Sequence, residues 1–200
     1  GVKRNTGLKK KYEFPSAKFF PKELVKEEDN LKCYRTVYDA ISDLPQLGNN
    51  ERKNEYNNDN LTEYQKIMRG DNTKLNNHIA PNHPKETIEK IRETEPGKPM
   101  YQKFKQRIRL KFEEPSPTQL AGGIRPQFQF GHPDQPRGLS IRERARIQSF
   151  PDSYTFIGGI VQERVQTGNA VPPLLIHEIT KSIAEDIIEN QKRKGENKDV

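Results

Sequence analysis

Cysteine is almost missing: Cys33 is the only one in 200 residues, so no internal disulfide framework can form. Apolar residues are also scarce. They make up 30% of the chain against 32% charged residues, thin for a self-sufficient core at this length. Either part of the chain is loop, or some of its apolar surface is meant for a partner. There is no long apolar run and no signal-peptide layout, which predicts a soluble, cytoplasmic protein with no membrane contact. The length allows one domain, or one and a fraction. What the chain does have is positive charge: a net +7 and a pI near 9.4 favour a polyanionic partner, although proteins without one often carry such a balance.

The chain is organised around residues 137–173. Ser140 with Glu143 three residues on forms a helix-start signature, each side chain able to satisfy the other's backbone N–H. The helix that follows is short and dense in arginine (Arg142, Arg144, Arg146), and Pro151 stops it through its effect on Phe150. Gly168-Asn169 reads as a turn, and Pro172-Pro173 opens the last helix where missing N–H groups cost little. In that helix Leu175, Ile176, Ile179, Ile183 and Ile187 recur at helical spacing, a stripe that must be buried against something.

These two blocks resemble motifs IX and X of the DNA cytosine-5 methyltransferase family. Motif IX reads roughly R-x-L-(T/S)-x-R-E-x-A-R-(L/I/V)-Q-x-(F/Y)-P-D-x-Y-x-F. It is matched by Arg137, Leu139, Ser140, Arg142, Glu143, Ala145, Arg146, Ile147, Gln148, Phe150, Pro151, Asp152, Tyr154 and Phe156. Motif X, Q-x-G-N-(A/S)-V-P-P, is matched by Gln166, Gly168, Asn169, Ala170, Val171, Pro172 and Pro173. The close match covers the last third of the chain. The resemblance implies an α/β fold: a mainly β target-recognition domain with flanking short helices, and a C-terminal helix that completes a Rossmann-like methyltransferase domain. It also implies boundaries: a connector after motif VIII (1–30), the recognition domain (31–136), motif IX (137–162), motif X and its helix (163–190), and a charged tail (191–200).

Upstream, Thr36 and Asp39 suit a capping box for a helix around Val37, Ala40 and Ile41, ended by Pro45. The phrase resembles one at the family's entrance to the recognition domain. Cys33 follows a lysine and not a proline, which makes it an ordinary buried or half-buried cysteine. Residues 49–60 are too rich in asparagine to order themselves and read as loop. Leu61, Tyr64, Ile67 and Met68 form a core-facing helix ending at Gly70. His78 and His83 have no supporting ligands at metal spacing, so a polar loop before a helix at 85–92 is expected and no metal.

Residues 103–112 predict a strand with Lys103, Lys105, Arg107, Arg109 and Lys111 on one face. That face suits DNA phosphate, or else a lysine-guarded solvated edge. By resemblance, residues 114–130 hold the recognition loop. Thr118 stands at the family's threonine position, and Gln119 replaces the usual apolar residue. Gly122 and Gly123 either let backbone approach phosphate or make a tight turn, while Arg125, Gln127 and Gln129 are of the types that read base edges.

The family's chemistry needs a thiolate that attacks C6 of a flipped-out cytosine and activates C5 toward the methyl of S-adenosylmethionine. Its Pro-Cys, Glu-Asn-Val and Phe-x-Gly-x-Gly phrases do not occur here. The resemblance therefore implies the C-terminal part of a restriction–modification methyltransferase, or one subunit of a divided one, inactive without its catalytic half. By the same resemblance Asn169, Ala170 and Val171 meet S-adenosylmethionine, double-stranded DNA is a partner, and Arg137, Arg142, Glu143 and Arg146 are structural, one arginine conceivably touching phosphate. The alternative is a non-catalytic, sequence-specific DNA-binding module.

Overall fold

The computed structural model describes residues 13–26, 31–57, 59–121 and 128–196. Strands β1 (Phe19–Phe20) and β2 (Lys32–Cys33) pair in parallel. Helices follow: α1 (Val37–Ile41), α2 (Glu63–Arg69), α3 (Lys85–Glu93), α4 (Ile141–Ile147), α5 (Ile160–Asn169) and α6 (Pro173–Glu196). The expected mainly β recognition region is not seen among the described residues, where isolated bridges such as Arg52 to Ile79 and Arg109 to Gly131 stand in for longer strands. Outside 103–112, so polar a stretch lacks the alternating apolar runs that sustain ladders.

Three helices start on capping boxes: Thr36 with Asp39, Thr62 with Gln65, and Ser140 with Glu143. Gly70 ends α2 at φ 52°, a conformation that favours glycine. The main core gathers Val37 and Ile41 of α1, Tyr64 and Met68 of α2, then Leu75, Leu110, Phe130 and Leu139. Ile141, Ala145, Phe150 and Phe156 form a second cluster. Ile67, expected in the core, is half exposed.

Buried charge joins these pieces. Arg146 forks onto Asp152 at 2.6 Å through both Nε and Nη2, and onto Asp43 at 3.1–3.2 Å, with all three side chains fully buried. Asp152 also accepts from the Tyr56 hydroxyl, and its own N–H bonds Met68 O. One node thus ties α1, α2, α4 and the asparagine-rich loop. That loop is ordered here, contrary to the composition reading: it bridges to 74 and 79, and Asn49 pairs with the His83 backbone. Cys33 is exposed, because it lies on a two-residue strand with no layer over it.

His78 and His83 are joints rather than a surface loop. His78 Nε2 faces Pro45 O at 2.8 Å, an acceptor only, so that nitrogen carries the proton and Nδ1 accepts from Ser140. His83 Nε2 accepts from Gly138 N–H, and His132 Nδ1 from the N–H groups of Asp134 and Gln135. No group of three metal-ligating side chains occurs among the described residues.

Two outcomes follow. Arg146→Met leaves Asp43 buried without a cation and Asp152 with only Arg142 at 3.4 Å, and should cost about 3–5 kcal/mol in urea denaturation. Burial depresses His83 and His132 from 6.5 to about 4. Between those values the unfolded chain binds more protons, so their contribution is full above pH 6.5 and lost as pH falls toward 4. The thermal midpoint should drop across that window, and less steeply in His132→Gln.

Candidate functional site: a buried arginine frame under the recognition segment

The arginines of α4 do not face solvent. Arg137 grips Glu143 bidentately at 2.7 and 2.8 Å, and Glu143 Oε2 also accepts the N-cap N–H of Ser140. Burial alone would raise the Glu143 pKa, but Arg137 outweighs it and holds the carboxyl well below the usual range. Arg142 donates to the carbonyls of Asn76, Pro151 and Tyr154. Arg137, Arg142, Glu143 and Arg146, expected to be structural, are all buried and bonded within the fold. Every guanidinium nitrogen of these three arginines is taken by a carboxylate, a carbonyl or the Gln135 amide inside the fold, which leaves none for a phosphate.

The expected cationic face at 103–112 is not formed. Residues 97–100 return against 107–109, with Met100 N–H on Arg107 O and Arg109 N–H on Lys98 O, so 103–106 becomes the turn of a short hairpin. Lys103 and Lys105 are exposed on it. Arg107 instead lies half-buried over Phe104, 4.5 Å from the ring centroid. Arg109 turns inward, its guanidinium on the carbonyls of Ile91, Arg92, Thr94 and His132. It closes the C-terminal end of α3, where free carbonyls favour a cation.

The recognition segment is strapped to α4 and α5. Thr118 is exposed, and its carbonyl accepts from Gln129, which in turn accepts from Leu120 N–H. Gln119 is buried and donates to Arg144 O, so it does not face a groove. Gly122, Gly123, Arg125 and Gln127 lie outside the described residues. Arg144 and Arg164 matter here and had no signal in the sequence beyond residue type, whereas Gly168 was singled out by the motif X match. A Cβ on Gly168 would sit 2.3 Å from Ala121 N and 2.4 Å from Ala121 Cα, so only glycine lets α5 lie flush on the segment. Gly168 and Asn169 therefore end α5 and are not a free turn.

At the end of α5 Asn169 is exposed, and so is Val171 in the linker to α6. The N–H groups of Ala170 and Val171 take part in no hydrogen bond among the described residues. The start of α6 offers none: two prolines lack N–H, Leu174 N–H goes to Ser149 Oγ, and those of Leu175 and Ile176 to Pro172 O. The donors open to a carboxylate are thus in the linker and not at the start of α6. Within 173–189 no residue of α6 with a described side chain is buried; Leu175, Ile176 and Ile188 are 43–52% exposed. Beside its first turns runs a groove of about 860 Å³, lined by Phe19, Tyr34, Val37, Ile67, Leu174 and Leu175 among others. No helix among the described residues is long and apolar enough to cross a membrane.

The family model for C-5 cytosine-specific DNA methylases matches residues 5–185. The chain belongs to this family. It is 33% identical over 160 residues to the type II methyltransferase M1.HphI of Haemophilus parahaemolyticus, covering 75% of this chain and 37% of that protein. It is 31% identical to M.AgeI of Thalassovita gelatinovora, covering 74% and 50%. This C-5 methylase chain thus spans half or less of those two relatives. A third relative, M.AquIB of Picosynechococcus, is 32% identical over 133 residues that cover 59% of this chain and 94% of that protein. Among solved structures, a DNA modification methyltransferase encoded in an E. coli prophage superposes with a TM-score of 0.62, covering 80% of this chain and 50% of the other at 21% identity, which makes it a fold neighbour.

Gly168→Ala should separate α5 from the recognition segment and cost about 1–3 kcal/mol, read as a lower urea midpoint.

Proposed function

We propose that this chain supplies DNA recognition and one edge of the cofactor pocket in a DNA (cytosine-5-)-methyltransferase of a restriction–modification system, working in the cytoplasm. The observation that carries the reading is α6: a long helix with an apolar stripe, no residue with a described side chain buried, and open N–H groups just before it. Such a face is unfavourable in water and suits a Rossmann-like catalytic domain laid against it. The Pro-Cys and Glu-Asn-Val phrases that attack and hold the cytosine are not in these 200 residues, so the chemistry depends on a polypeptide that carries them. M.AquIB, of which the matched region is nearly the whole, supports the idea that this region works as a polypeptide of its own.

S-adenosylmethionine, when bound, is the methyl donor. The end of α5 and the linker after it fit its amino-acid end: the Asn169 amide is exposed, and the N–H groups of Ala170 and Val171 are open to a carboxylate. Residues 31–136 form the recognition portion, 137–162 the frame that holds it, and 163–190 the pocket edge with its helix. Lys103, Lys105 and Thr118 are on the surface and available to duplex DNA, and the reading assigns Gly122, Gly123, Arg125 and Gln127 to the same DNA-contacting role.

The test is complementation. Mixed with a polypeptide bearing the missing motifs, the chain should raise methyl transfer to cytosine well above that polypeptide alone. Leu175→Asp, on the exposed face of α6, should abolish the gain without lowering the chain's own thermal midpoint. No gain with the unaltered chain, together with salt-sensitive duplex binding, would instead support a non-catalytic DNA-binding module.

A further inference from the structure

Among the described residues, two buried arginines have no anion beside them. Arg144 on α4 and Arg164 on α5 are each 4% exposed, buried as deeply as many core residues. The other buried arginines of the frame, Arg137, Arg142 and Arg146, each have a carboxylate within 3.4 Å. Arg144 has only neutral partners, with Nε on Thr167 Oγ1 at 3.2 Å and Nη2 on Leu120 O at 3.0 Å. Arg164 Nη2 is buried and meets no hydrogen-bond partner at all. Burial pushes both guanidinium groups down to about 10, and Arg164 adds its repulsion to Arg144. No acidic group among the described residues offsets either. Gln119 Oε1 is an unpaired buried acceptor on the same segment, but a neutral amide cannot balance two charges. Removing one partner of a buried ion pair leaves this arrangement, which is strongly unfavourable until the counter-charge returns.

We propose that Arg144 and Arg164 form a subsite for a backbone phosphate of duplex DNA. The inference rests on the recognition role proposed above and deepens it. The location argues for DNA. The pair underlies residues 118–121: Arg144 holds Leu120 O, Gln119 holds Arg144 O, and Gly168 lies flush on Ala121. Neither arginine lines the groove beside α6 where a protein partner is expected. A guanidinium fork also matches phosphate oxygens in shape as well as charge. A segment clamped over a phosphate-binding pair would be fixed in register on the duplex by a contact that carries no sequence information.

Duplex affinity measured against salt concentration, with the whole chain, tests this. Arg164→Met should weaken binding about tenfold and reduce the slope of log affinity against log salt by about 0.9. It should not lower the thermal midpoint, because it removes an unbalanced charge. Arg164→Lys keeps the charge and loses the fork, so it should keep the wild-type slope with affinity reduced about threefold. If Arg164→Met proves unstable, full affinity in the lysine variant overturns the subsite. Duplex binding by the wild type that both variants share unchanged overturns the subsite alone. No salt-dependent duplex binding by the wild type removes the recognition reading as well. Two further results would also overturn it. In one, inorganic phosphate raises the thermal midpoint of the wild type but not of Arg164→Met, while the duplex slope is unaffected. In the other, Arg164→Met loses only its association with a catalytic polypeptide, which would reassign the pair to a protein carboxylate.

Discussion

The bidentate contacts that Arg146 makes with Asp152 and Asp43 are the constraint on which the rest of the structure depends. Asp152 is 6 and Asp43 is 103 positions away in sequence, so one guanidinium fixes where α1 lies relative to α4. Asp152 then sets α2 through Met68 O and the asparagine-rich loop through Tyr56. With so few apolar residues, the chain cannot rely on volume-filling to choose among packings. A planar fork that satisfies four carboxylate oxygens at once is directional in a way that leucine contacts are not. Buried ion pairs are not a source of net stability in general, but they do select one arrangement over its neighbours.

A second frame lies on the other side of α4. Arg137 and Glu143 close it, and Glu143 also caps the helix. His132, Gln135, His83 and Gly138 fill the space around that pair. The two frames leave the top of α4 and the end of α5 as a rigid bed for the recognition segment. On that bed the short irregular loops can differ without disturbing what supports them.

The local features were legible in the sequence. Capping boxes at Thr36 and Ser140, the glycine stop at Gly70 and the helix at 85–93 depend on residues within one turn of each other. The structural role of the motif arginines came from the family resemblance. What could not be read was decided by partners distant in sequence. The alternation at 103–112 looks like a strand, but Arg109 is drawn inward by carbonyls at the end of α3, 15–18 residues earlier. His78 looked like loop because its partners, Pro45 O and Ser140, lie 33 and 62 residues off. The asparagine run looked unstructured because composition does not reveal that Tyr56 has a buried aspartate waiting for it. Arg164 had no signal at all, since a lack of partners is visible only in three dimensions.

The last helix is anchored near its beginning, by Leu174 N–H on Ser149 and by the Lys18–Glu178 ion pair. Its 24 residues make a rod of about 36 Å at the usual rise, so a tilt of about 10° at the anchor would carry the far end some ~6 Å. Mechanically it is a lever whose fulcrum, Ser149, lies two residues beyond α4. Any body resting along that rod would exert torque on the bed that holds the recognition segment, and a strained segment would swing the rod in return.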